Sequence, residues 1–118
     1  MENRLSQLKA MLADHPEDSF LNYAIALEYW KASDYEHAHT HLSFLRSNDP
    51  AYLATYYQLG KLAHEQGSME EAVEVFEEGI TVARRQEDFK TLEELQSAKR
   101  LAESGNPDED DDEEEAFS

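Results

Sequence analysis

The chain has 118 residues, enough for one small domain with a modest core. It contains no cysteine, which excludes disulfides and thiolate chemistry, and its 27 acids against 10 bases give a net charge of −17, a field that repels nucleic acid and anionic membranes. No apolar run is long enough to span a membrane, and the start MENRLSQLKAML lacks the apolar core of a secretion signal, so a cytoplasmic protein is expected.

In chain order, Leu5, Leu8 and Leu12 form a helical stripe ahead of Pro16 and predict a first helix over 3–14. The run SFLNYAIALEYWK, 19–31, predicts a second helix with Ile25, Ala26 and Tyr29 on one face. It breaks at Ala32–Ser33–Asp34, where Asp34 is suited to cap the next helix by accepting from its free amides. The third, YEHAHTHLSFLRS, carries Ala38, Leu42 and Leu45 at i, i+4 and i+7 and stops at Asn48–Asp49–Pro50.

Pro16 and Pro50 lie 34 residues apart, and the plan repeats at that offset. Ile25 aligns with Leu59, Ala26 with Gly60, Ala38 with Ala72 and Leu42 with Phe76. The turns KASDYEHA and EQGSMEEA coincide as well, and Ser68 to Glu71 reads as a capping box with reciprocal hydrogen bonds. Arg84 stands where the second unit's proline would fall, so the helix after it is expected to start late or shift by a residue or two. A last helix over 88–104 puts Leu92, Leu95 and Leu101 on one side and charge on the other. Beyond Ser104–Gly105–Asn106–Pro107 the chain is almost purely acidic, and 105–118 is predicted to be a disordered tail.

The expected fold is therefore all-α, with about six helices arranged as stacked helical hairpins, in a domain over 1–104. Two full repeats occupy about 19–52 and 53–86, and half-repeat helices over 3–14 and 88–104 flank them. Small residues at Ala26, Ala38, Gly60 and Ala72 allow close helix approach, and Leu42 and Phe76 fill the space toward the next unit. One hairpin cannot bury its apolar face alone, so the hairpins must stack. This pattern resembles the tetratricopeptide repeat. Asn22, Ile25, Ala26, Tyr29, Ala38, Leu42 and Pro50 fall at consensus places in the first unit, and Tyr56, Leu59, Gly60, Ala63, Ala72 and Phe76 do so in the second. Asn22 departs by replacing a large aromatic.

The run HAHTH, His37 to His41, raises the question of a metal site. On a helix His37 and His41 lie one turn apart while His39 points away from both, so one ion cannot collect all three. The expectation is surface histidines beside the core stripe, with no metal and no cofactor.

The resemblance implies that the first helix of each hairpin lines a concave face that carries function. On the first such helix Phe20, Tyr23, Leu27 and Trp30 form a second apolar stripe beyond the one packing needs. Its counterpart is Ala54, Tyr57, Lys61 and His64. The predicted peptide-binding groove comprises Phe20, Tyr23, Leu27, Trp30, Lys31, Tyr57, Lys61 and His64, with aromatic anchors and basic elements. The bland reading is that terminal helices cover this stripe. Relatives that clamp a carboxylate-ended peptide use paired lysine and asparagine there, and Tyr23, Leu27 and Tyr57 beside a single Lys61 do not reproduce that clamp.

The acidic tail suits solubility or salt adaptation, capture of a basic partner, or docking of Glu115–Ala116–Phe117 into the groove as a pseudo-ligand. There is no Gly-rich phosphate loop, no nucleophile elbow and no distinguished acid–base pair, so an enzyme is not expected. The function expected is a non-catalytic adaptor that binds a protein or peptide, without nucleic acid or membrane partners, as a monomer. The alternative is a structural module that self-associates, down to a weak homo-oligomer, through exposed helix faces.

Overall fold

A computed structural model of the protein describes residues 3–104. It holds α1 (Arg4–Asp14), α2 (Ser19–Lys31), α3 (Tyr35–Asn48), α4 (Ala54–Glu65), α5 (Met69–Gln86) and α6 (Phe89–Ser104). No strand occurs among the described residues. The predicted tail over 105–118 lies outside them. The chain divides between Thr55 and Tyr56 into two compact units. In the first, α2 packs on both α1 and α3; in the second, α5 packs on α6.

The helices α1, α2, α3 and α6 each start where a side chain takes up a free amide. Asp18 accepts from the Leu21 amide at 2.9 Å and Asp34 from that of His37 at 3.2 Å. Asn3 and Asp88 do the same for α1 and α6, accepting from the amides of Ser6 and Thr91. Such caps are each worth about 1 kcal/mol. The capping box expected at Ser68 is not formed on the serine side, because the Ser68 side chain makes no cap bond. Its backbone angles, φ −93° and ψ 74°, nearly match those of Asp34, φ −94° and ψ 78°.

The turns repeat with the 34-residue period. After α2, Ser33 donates to the Trp30 carbonyl and Asp34 to that of Tyr29; after α4, Gly67 donates to His64 and Ser68 to Ala63. Both sets form a helix-ending motif whose turning residue sits in the left-handed region. Ser33 has φ 63° and Gly67 has φ 83°. The same turn closes α5, with Glu87 at φ 59°. The loop geometry recurs too: His15 before Pro16 has φ −139° and ψ 67°, and Asp49 before Pro50 has φ −142° and ψ 69°. A following proline excludes the helical region at both residues and stops α1 and α3 there. At Arg84 no proline intervenes, and α5 runs on to Gln86, one turn beyond the place equivalent to the end of α3.

Packing depends on the small residues. Ala26, Ala38 and Leu42 are fully buried in the first unit, and Ala72, Val75 and Phe76 are buried in the second. A Cβ added at Gly60 would lie 2.3 Å from the Phe76 ring, and one at Gly79 would lie 2.5 Å from the Tyr56 Cβ. Gly60 and Gly79 are therefore the points where the α5 neighbours come closest. The role of Gly79 was not apparent in the sequence, because its counterpart at the 34-residue offset is the bulky Leu45.

Gly60→Ala and Gly79→Ala should each lower unfolding free energy by about 1–3 kcal/mol through overpacking, despite the gain in helix propensity. Ser33→Gly should raise it by about 0.5–1 kcal/mol by relieving left-handed strain at a turn the structure already adopts. Urea denaturation measures both. Neutral glycine replacements, or a destabilising Ser33→Gly, would contradict this description of the packing and the turns.

Candidate functional site

Two faces of α2 carry different tasks. Leu21, Ala24, Ile25, Ala26 and Tyr29 are buried. Asn22 is buried among them, and its amide nitrogen donates to the carbonyls of Pro16 and Asp18 at 3.2 and 3.0 Å. This leaves the Asn22 carbonyl oxygen to accept from His41 Nδ1 at 3.2 Å. The position that the repeat consensus fills with a large aromatic thus holds a polar tie between α2, the loop before it and α3.

On the other face Tyr23, Leu27 and Trp30 are half-buried and Phe20 is exposed, at 60 %. Neither Tyr23 nor Trp30 is buried, so neither is plain core. Tyr23 packs against Tyr52, ring centroids 5.7 Å apart and tilted by 60°. Burial, with smaller effects from Tyr23, Asp18 and Asp49, pushes the Tyr52 hydroxyl above its ordinary value. Ser19 Oγ donates a short hydrogen bond to Asp49 and ties this loop to the start of α2. Tyr52 extends the aromatic face and was missed in the sequence, because it lies in the loop after Pro50, off any helical stripe.

The basic residues differ in setting. Lys31 lies 3.6 Å from Glu28, which also pairs with Arg4 at 3.2 Å. The Lys31 side chain is mostly exposed, and such a pair holds it only weakly. Lys61 on α4 is exposed, and Tyr57 is half-buried. His64 does not stand open as a groove residue: it is buried at 6 %, and its Nε2 has no hydrogen-bond partner among the described residues. Stripe spacing assigns it a direction around α4 but does not reveal that its side chain is buried.

The histidine run lies on α3. His37 and His41 stack on Tyr29, with centroids at 4.8 and 5.6 Å, while His39 bonds elsewhere, to Ser43 at 3.3 Å. His37 Nδ1 donates to the Asp34 carboxylate at 2.8 Å, and the Lys9 ammonium sits 5.3 Å from the Tyr29 ring. Among the described residues no group of three His, Cys, Asp or Glu side chains is placed to hold a metal ion. No helix among them is long and apolar enough to cross a membrane.

A profile of the tetratricopeptide repeat matches residues 53–86. Two structures of a tetratricopeptide repeat domain protein from Salinibacter ruber, one in solution and one crystalline, are 40% identical to this chain. The first superposes with a TM-score of 0.74 over 77% of this chain and 92% of its own, the second with 0.70 over 73% and 97%. A solution structure of a Bordetella parapertussis protein, 27% identical, superposes with 0.75 over 88% of this chain and 90% of its own. No curated protein matches. The chain belongs to the tetratricopeptide repeat family, whose members commonly serve as protein-interaction modules.

Burial, followed by the nearby charges of His37 and Lys9, holds the His41 pKa below its ordinary 6.5. The unfolded chain therefore takes up this proton first as pH falls. Stability from His41 is full above about pH 6.5 and is lost below it, until the folded pKa is reached. Asp34, with its carboxyl held down chiefly by the His37 hydrogen bond, loses its contribution in a separate window below 3.8. Melting curves between pH 7.5 and 5 should show declining stability that His41→Gln flattens. An equal decline in the variant would remove His41 as the cause.

Proposed function

We propose that this protein is a non-catalytic adaptor that binds a peptide segment of a partner protein through the first-helix faces of its repeats. On α2 the contacts are Phe20, Tyr23, Leu27, Trp30 and Lys31; on α4 they are Tyr57 and Lys61. The observation that carries the reading is on α2. A half-buried aromatic and aliphatic face persists there although α1 and α3 already pack on the helix. An apolar patch of this kind left on a surface marks an interaction site. His64 is buried and is left out of this contact set.

The ligand should supply one or two apolar anchors for Tyr23, Leu27 and Trp30, and an acidic group for Lys31 or Lys61. A short contact face gives a small interface, so the affinity expected is micromolar. Selection from a random-peptide display library on the intact protein tests this. Enriched peptides should lose about 1–2 kcal/mol of binding, up to tenfold or more in Kd, on Tyr23→Ala and on Tyr57→Ala, with unchanged helicity. Failure to enrich any peptide, or peptides that bind both variants as tightly as the parent, would overturn the reading.

A further inference from the structure

The two ends of the α2 face differ in chemistry. At its start Asp18 gives one oxygen to the Leu21 amide at 2.9 Å, and the next residue, Ser19, donates its hydroxyl to the Asp49 carboxylate. Carboxylates from two separate loops therefore flank the first turn of α2. The Tyr52 amide donates to the Asp49 carbonyl at 3.0 Å, which sets Tyr52 on the same turn of chain. Its ring meets Tyr23, one helical turn on from Ser19, with centroids 5.7 Å apart. The two rings are half-buried and tilted by 60° rather than stacked, which leaves ring face within reach of a ligand. Asp18 and Asp49 both act on the Tyr52 hydroxyl, adding to burial and Tyr23 in holding it above its ordinary value. Beside them His15, Pro16, Glu17 and Asp18 line a shallow depression of about 400 Å³.

Aromatic rings beside carboxylates are complementary to a cation, which is drawn to the negative ring face and forms charge-assisted hydrogen bonds with the acids. A carboxylate accepts at both oxygens, and the cap and the Ser19 bond each occupy one. Guanidinium suits such a site best, because its plane stacks on a ring while its fork reaches carboxylates. The far end of α2 has the opposite sign, since Arg4 and Lys31 share the single acid Glu28 there. Ser19 and Lys31 are separated by about 18 Å along the helix, the length of about five or six extended residues. We propose that Tyr23 and Tyr52, with Asp18 and Asp49, receive a basic side chain of the bound peptide, arginine in preference to lysine. This assignment rests on the peptide-binding reading and adds the ligand's chemistry and direction. The basic residue lies at the start of α2, apolar anchors lie over Leu27 and Trp30, and an acidic residue lies toward Lys31. The net charge of −17 draws the basic residue in.

Selection from one random-peptide display library on the full chain and on Asp18→Asn/Asp49→Asn tests this. Asparagine caps a helix as well as aspartate and still accepts from Ser19, so helicity should not change. Peptides enriched on the parent should carry arginine or lysine, with an acidic residue about five or six positions away. Peptides enriched on the variant should keep the apolar anchors and lose the basic residue. In a synthetic parent-selected peptide, replacing that residue by its uncharged counterpart, citrulline or norleucine, should raise Kd about tenfold on the parent. On the variant the same replacement should leave Kd unchanged. Enriched peptides without a basic residue would overturn the proposal while peptide binding stands. So would a basic residue retained on the variant, or an equal effect of the uncharged replacement on both proteins. Failure to enrich any peptide on the parent would overturn the peptide-binding reading and this assignment with it.

Discussion

The rest of the structure depends on how closely the helices of a hairpin can approach. The Phe76 ring occupies the space where any side chain on Gly60 would have to be, and Tyr56 and Leu95 crowd Gly79 in the same way. Ala26 and Ala38, both fully buried, mark the equivalent narrow places in the first unit. With these positions small, large side chains such as Leu42 and Phe76 fill the remaining volume at the density of a protein interior. The same packing determines which face of each first helix is used up and which is left.

The turns keep this arrangement in register. Ser33 and Gly67 take the same left-handed conformation 34 residues apart, and His15 and Asp49 share a second, non-helical one ahead of their prolines. A chain that reverses direction by one fixed geometry presents the same helix face each time. The proline missing at Arg84 lets α5 gain a turn, and α6 begins at Phe89 under an Asp88 cap. The periodic arrangement thus loosens where its punctuation is lost.

Helix order and the small–large alternation were legible in the sequence because they depend on neighbours at fixed spacing. The Asp34 cap, the paired placement of His37 and His41 away from His39, and the anomaly at Arg84 follow from local spacing in the same way. Features that depend on what lies across a gap were not legible. Spacing reveals neither that Ser68 falls short of the cap bond, nor that Tyr52 leaves its loop to meet Tyr23, nor that His64 is covered. Asn22 looks like a defect in the repeat pattern until His41, nineteen residues on, is seen to use its carbonyl. The aromatic face of α2 lies between these cases. Its residues were readable as a stripe, while their half-burial needed the packed unit.

That face is the centre of the functional proposal, and the protein carries a probe within it. Trp30 is the sole tryptophan and is half-buried at the end of α2. Acrylamide quenching of its fluorescence, measured with and without a saturating display-selected peptide, reports directly on whether that face is covered. Marked protection of Trp30 on binding is the expected result. Unchanged quenching at saturation would place the ligand elsewhere and contradict the assignment of the α2 face.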